Sequence, residues 1–259
     1  MSFLSSTINI ISSKRIRQID FFKNNPSEIQ NKTLFNLLKK SSNTLFGKKY
    51  SFAKIKSIKD FQNNIPLNHY DDIKDYIHKM IDGEKNVLWP GKITWFAKSS
   101  GTTSEKSKFI PISNECLKKC HYKAGKDVLL LYLKNFPDTN IFSGKALTLG
   151  GSHKLHKNKN IYFGDLSAIL IENLPFWTEI IKAPSKNIAL IENFEEKIDK
   201  ISKATINENI TYLIGVPSWN LVLIKHILSI TGKSNLLEVW PNLELFIHGG
   251  VSFTPYIDQ

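Results

Sequence analysis

The residues best suited to chemistry lie in one run, Phe96-Ala97-Lys98-Ser99-Ser100-Gly101-Thr102-Thr103-Ser104-Glu105-Lys106-Ser107-Lys108-Phe109-Ile110-Pro111. Hydroxyl side chains crowd around a single glycine, and lysines follow. Hydroxyls and free backbone N–H groups suit phosphate oxygens, and glycine lets the backbone come close to them. A charge-assisted hydrogen bond contributes about 1.5–3 kcal/mol, so several would hold a triphosphate. The run is not a Walker loop. That motif needs Gly directly before Lys-Ser or Lys-Thr, and here Glu105 precedes Lys106. On spacing alone, an ordinary polar loop explains the run equally well.

The flanking patterns indicate what positions this loop. Ile93-Thr94-Trp95-Phe96-Ala97 is β-branched and aromatic and predicts a strand. Phe109-Ile110-Pro111 predicts a short extended piece, so the polar run at 98–108 is a connection. Ser113 then caps a predicted helix with Leu117, Cys120, Ala124, Val128, Leu131 and Leu133 as its apolar positions. Further strands are expected at 146–149, ending in Gly150-Gly151, at 211–214, and at 243–247, closed by Gly249-Gly250. Helices are expected at 194–205 and from Pro217-Ser218 through Ile230. Strands alternating with helices predict an α/β fold, a mixed sheet flanked by helices, with the four strands in one common sheet.

Residues 1–90 read as a mostly helical N-terminal segment. Ile29, Leu34, Leu37 and Leu38 recur at helical spacing from Pro26 up to Gly47. Ile73, Tyr76, Ile77 and Met80 do the same after Asp71-Asp72, an acidic pair that suits a helix start. Residues 91–259 form the α/β part of the same large domain. The end at Gln259 falls just after a buried-looking strand and reads as a truncation of that layer, which predicts exposed Phe and Trp side chains on this side.

Composition narrows the class. The chain has 259 residues, 41% hydrophobic and 22% charged, which suits a globular chain with a core and argues against wholesale disorder. Mean hydropathy is −0.21. Two cysteines exclude a disulfide scaffold and suit a reducing compartment. No apolar run is long enough to span a membrane, and the N-terminus has its apolar stretch before its basic one, the reverse of a secretory signal. A cytoplasmic location is expected, with no membrane partner. The net charge of +12 raises the question of nucleic acid. Arginine occurs only at Arg15 and Arg17, and the lysines are scattered rather than striped, so a nucleic-acid partner is not favoured.

Other constellations have plainer readings. Cys116 and Cys120, with His121 alongside, are expected to be a buried thiol pair on a helix face rather than a metal edge. His153 and His156 fall in a basic loop at 152–160. Glu195 and Glu196 open a helix. His248 adjoins the Gly249-Gly250 turn. No metal ligands are assigned.

The polar run resembles the first nucleotide motif of the GH3 (auxin-responsive promoter) family of acyl-acid amido synthetases, within the adenylate-forming superfamily: SSGTT, a short spacer, Lys, an apolar pair, then Pro. The general superfamily loop has a spacer one residue shorter. Three further stretches are similar to the same family, in family order: Leu149-Gly150-Gly151, Gly215-Val216-Pro217-Ser218-Trp219, and Trp240-Pro241-Asn242-Leu243 through Gly249-Gly250 to Pro255-Tyr256. The resemblance covers most of residues 20–259 and implies the N-terminal portion of an enzyme acting in two half-reactions. A carboxylic acid attacks the α-phosphate of ATP-Mg2+ to give an acyl-adenylate and pyrophosphate. An amine or amino acid then attacks the acyl carbon. By position, it implies that Ser99, Ser100, Gly101, Thr102, Thr103 and Lys108 hold the phosphates. Gly249 and Gly250 would form the adenine-side turn, and Val216 and Trp219 would line the acyl pocket. The resemblance assigns no catalytic residue within this stretch. The family continues past this length with a metal-side carboxylate, a ribose-binding aspartate and a closing domain. Residues 1–259 alone are therefore expected to be inactive, with activity only in a longer chain; the alternative is a truncated, non-catalytic nucleotide-binding remnant.

Overall fold

The computed structural model describes residues 3–99, 108–150, 156–158 and 160–258, with side chains from residue 13 onward except at 156–158. In chain order the helices and strands begin with α1 (Phe3–Asn24), α2 (Pro26–Ser41), α3 (Leu45–Lys49), α4 (Ile58–Asn64) and α5 (Tyr70–Ile81). Next come β1 (Trp95–Lys98), β2 (Phe109–Ile112), α6 (Tyr122–Asn135), β3 (Lys145–Leu149), β4 (His156–Asn158) and β5 (Ile161–Gly164). The remainder is α7 (Leu166–Glu172), α8 (Thr178–Ile181), β6 (Lys182–Ala183), α9 (Lys186–Ala189), α10 (Phe194–Thr205), β7 (Ile210–Gly215), α11 (Pro217–Thr231) and β8 (Leu245–His248). Two compact units result, one from residues 1–137 and 156–163, the other from 138–155 and 164–259.

The first unit carries a four-stranded sheet in the order β2-β1-β5-β4. Its core is Ile77 and Met80 of α5 packed with Val87, Ile93, Phe96 and Ile161. These α5 residues lie on one face at helical spacing, and Asp72 accepts the His69 backbone N–H at 2.7 Å, as expected of a helix cap. The second unit carries a parallel arrangement, β6-β3-β7-β8. Leu147, Leu149, Ile198, Ile201, Ile210, Leu213, Leu223, Ile227 and Trp240 form its core, so α10 and α11 cover this sheet.

Several sequence expectations need correction. The four predicted strands do not share a sheet: those at 145–149, 210–215 and 245–248 do, but Trp95–Lys98 belongs to the other. The Tyr162 N–H donates to Thr94 O at 2.7 Å, and Trp95 stacks on Tyr162 at 4.5 Å. The residues read as a basic loop around His156 include a strand, His156–Asn158, antiparallel to β5. His153 lies outside the described residues.

The helix after Ser113 begins as predicted, with the Cys116 N–H donating to Ser113 Oγ at 3.0 Å. Residues Cys116–His121, however, wind as a π-helix before α6. Its i→i+5 bonding advances each residue by less than the about 100° of an α-helix, so positions chosen at α-helical spacing drift off the buried face. Leu117 and Leu133 are buried, while Val128 and Leu131 are exposed. The thiols are not a buried pair either: Cys120 is exposed and Cys116 is half-buried, with its thiol pKa pushed up by burial. The aromatics near the C-terminal side are not exposed. Phe246, Phe253 and Tyr256 are half-buried, with His248 stacked on Phe253 at 4.2 Å. Among the described residues the most exposed aromatic is Phe176, at 88%.

The helix expected from Pro26 to Gly47 is two helices. Thr44 stops the first by donating its hydroxyl to Ser41 O at 2.6 Å, and it caps the second by accepting the Gly47 N–H at 3.0 Å. Gly47 is therefore not a terminator but a close-approach residue. A Cβ there would lie 2.0 Å from Ser41 O, which is backbone and cannot swing away. Gly47→Ala is expected to destabilise the chain by about 1–3 kcal/mol in urea unfolding. An unchanged midpoint would show that the turn relaxes freely.

Candidate functional site

The first set of candidate residues sits at the mouth of a hairpin. β1 and β2 pair antiparallel, with Trp95 opposite Ile112 and Lys98 opposite Phe109. One step further, the Ser99 N–H donates to Lys108 O at 2.9 Å, and the Lys108 N–H donates to Ser99 Oγ at 3.1 Å. The two ends of the polar run are thus fixed to each other, and both are half-buried. Tyr70 of α5 braces this neck. Its hydroxyl accepts the Phe109 N–H at 2.9 Å, and the Lys108 ammonium lies 5.6 Å from the centre of its ring. Sequence reasoning missed Tyr70, which lies 39 residues from Phe109 and is signalled by no local motif. Ser100, Gly101, Thr102 and Thr103 lie outside the described residues.

The second set belongs to the parallel sheet. Leu149 pairs with Gly215, and Gly215 with His248, so β3, β7 and β8 end level with one another. Three turns therefore leave one carboxyl edge: Gly150 after β3, Val216 after β7, and Gly249-Gly250 after β8. Ligands of open α/β sheets bind outside such edges. Gly250 has φ +86°, a left-handed conformation that favours glycine, and a Cβ on it would lie 3.3 Å from Val216 Cγ2. The Gly249-Gly250 turn and Val216 are thus neighbours. Gly249 has open space beside it, and both glycines are exposed.

Val216 is the N-cap residue of α11, and Pro217 begins that helix with its φ preset. Trp219, one turn in, is half-buried against the core and lies 6.5 Å from Phe194. Asn220 is the residue the sequence reading overlooked. It is 1% exposed, donates Nδ2 to Val216 O at 3.1 Å, and packs against Gly215. Its Oδ1 is buried without a partner among the described residues. The available signal was a lone amide in the apolar run Trp219-Asn220-Leu221-Val222-Leu223. Gly215 leaves no room for a side chain, since a Cβ would lie 2.5 Å from Asn220 Nδ2 and 2.7 Å from Leu149 O.

Among the described residues no group of three or more His, Cys, Asp or Glu side chains gathers as a metal site would. No helix among them is long and apolar enough to cross a membrane.

A jasmonoyl-L-amino acid synthetase of Nicotiana attenuata is 30% identical over 145 residues, 56% of this chain and 24% of that protein. An indole-3-acetic acid-amido synthetase of Arabidopsis thaliana is 28% identical over 161 residues, 62% of this chain and 26% of that one. The chain thus aligns with about a quarter of the length of these curated relatives, in their N-terminal part. Among solved structures, the GH3.15 acyl acid amido synthetase superposes with a TM-score of 0.74 at 15% identity, over 93% of this chain and 52% of that one. A second structure of it, in complex with 2,4-DB, gives 0.67 at 19% identity. The α/β fold with helix-flanked sheets is that of these structures. Residues 15–259 match the GH3 family N-terminal domain, and on that match the chain belongs to the GH3 family.

Proposed function

We propose that this chain is the N-terminal part of an ATP-dependent acid–amido synthetase, in which it binds the nucleotide and the carboxylic acid. One observation carries the reading. Gly150, Val216 and Gly249-Gly250, which the family resemblance marks separately along the sequence, leave the same edge of one parallel sheet. The hairpin neck supports it, because Ser99 and Lys108 offer a hydroxyl and a cation at the base of a hydroxyl-rich run.

The chemistry asked of these residues is modest. ATP supplies the activated phosphorus and the pyrophosphate leaving group. Lys108 and the loop hydroxyls neutralise and hold the phosphate oxygens, which is most of what phosphoryl and adenylyl transfer need from a protein. The exposed Gly249-Gly250 turn offers backbone to a planar base without side-chain obstruction. Val216 and Trp219 offer an apolar surface to the acid. By the relatives' names the acids belong to the class of jasmonate and indole-3-acetate, joined to amino acids. Magnesium would accompany the phosphates; among the described residues no three or more His, Cys, Asp or Glu side chains gather to hold it.

Titration of the chain with ATP by calorimetry tests the reading. Lys108→Ala is expected to weaken binding by about 1.5–3 kcal/mol, the scale of a charged hydrogen bond. An unchanged affinity would remove Lys108 from the site.

A further inference from the structure

Helices α1, α2 and α6 of the first unit line an open groove of about 940 Å3 that no step proposed above uses. Small-molecule sites span about 300–1,000 Å3 and are mostly apolar with a few polar groups that fix orientation. This groove has that character. Ile19 and Ile29 line it half-buried, and Phe21, Phe22 and Leu131 line it exposed. Phe21 and Phe22 are 45% and 49% exposed, two adjacent aromatics that leave apolar surface on the groove.

Charge marks the groove more distinctly. Lys14, Arg17, Lys32 and Lys123 line it, all exposed; Lys14, Arg17 and Lys32 have no ion-pair partner among the described residues, and Lys123 is close enough to Asp127 to help lower its pKa. Its one acidic lining residue, Asp127, is already engaged. Arg15 donates to both its carboxylate oxygens, at 2.8 and 2.6 Å, and holds its pKa below the usual carboxylate range. The same pair ties α1 to α6, and Lys134 with Asp20, at 3.2 Å, ties them a second time. Two of the three walls are therefore tied to each other before any ligand arrives, which spares the ligand part of the cost of ordering them.

We propose that this groove binds a single-chain anionic amphiphile, an acyl chain ending in a carboxylate. The chain lies against Phe22, Ile19, Ile29 and Leu131, and the head group lies among Lys14, Arg17, Lys32 and Lys123. A bilayer is a poorer occupant, because a flat surface does not fill a concave groove. A phosphorylated ligand is also poorer. One of the two arginines has its fork committed to Asp127, and the remaining lining cations are mostly lysines, which lack bidentate geometry. The proposal does not rest on the nucleotide reading.

The test is a calorimetric titration of the full chain with dodecanoate below its micelle concentration. Dodecanol and dodecyltrimethylammonium serve as chemical controls. Saturable binding of one dodecanoate is expected, with both controls far weaker. The triple substitution K14Q/R17Q/K32Q should weaken dodecanoate at least about tenfold, the loss of about one charged contact. Phe22→Ser should weaken dodecanoate while leaving the cationic control no tighter than in the parent chain. Circular dichroism and melting temperature matched to the parent chain show that each variant folds. No binding, equal binding of the ammonium surfactant, or binding unchanged by both variants would overturn the assignment. So would cosedimentation with phosphatidylserine vesicles in the absence of dodecanoate binding.

Discussion

Trp240→Ala is expected to destabilise the chain by about 3–5 kcal/mol, enough to consume a large part of an ordinary domain's stability. Trp240 is 1% exposed and sits in the core of the second unit, beside residues of β3, β7, α10 and α11. Its removal opens a cavity where a sheet and its covering helices meet. The indole has a second role. Its Nε1–H donates to Thr205 O at 2.9 Å, and Thr205 is the last residue of α10, whose terminal carbonyls have no partner within the helix. The Glu208 N–H also reaches Thr205 O, at 3.0 Å, so this carbonyl is not orphaned when the indole goes. Trp240→Phe separates the two roles. It keeps an aromatic ring in the core and removes the donor, and should cost about 1–2 kcal/mol. Urea unfolding of the three proteins measures both numbers. If Phe costs as much as Ala, the hydrogen bond outweighs the packing and the cavity account fails.

The same residue shows how far the sequence could be read. In the sequence Trp240 belongs to a stretch that resembles the GH3 family, yet its side chain is a core anchor that holds the end of α10. The stretch is informative because β8 follows it and delivers Gly249-Gly250 to the sheet edge. Element types were legible where a cap marked the start and the apolar spacing stayed in α-helical phase. α10 runs Phe194–Thr205 as expected, and its Asn193 cap accepts the Glu196 N–H at 2.9 Å.

Sheet membership was not legible. Ile93–Ala97 has the local character of any buried strand; its hairpin with β2 is local, but the sheet it joins is decided on its other side by β5, where the Tyr162 N–H donates to Thr94 O. The π-turn after Ser113 was equally silent, because its residues fit an α-helical pattern until the phase slips. In the candidate site, the local halves were readable: a polar run between two strands, and glycine turns after strands. Tyr70 under Lys108 and Asn220 under Gly215 were not, since each acts through contacts that only the assembled backbone creates.

Lys197→Met is expected to stabilise the chain by about 1–3 kcal/mol at pH 7, with the gain shrinking as pH rises. Lys197 lies on α10 and is completely buried. Burial pushes its ammonium pKa down to about 8, against the opposing pull of the Asp165 carboxylate. The unfolded chain holds this proton up to the ordinary lysine range, near 10.4. Between pH 8 and that range the unfolded state binds more protons than the folded state, so stability from this group rises with pH. Below pH 8 both states are charged, and the full cost of burying the charge is present, about 3 kcal/mol by the shift. Methionine fills similar volume without the charge. It leaves Asp165 only half-buried, where water can still reach it. Tyr212 and Tyr122, whose pKa values burial raises, lower stability at high pH, but they do so in both proteins and cancel in the difference. Urea unfolding of parent and variant at pH 7 and pH 9.5 therefore isolates Lys197. The stabilities should converge toward the higher pH. A variant less stable than the parent at both would mean that the contacts of the ammonium outweigh its burial, and that Lys197 is a structural tie rather than a tolerated cost.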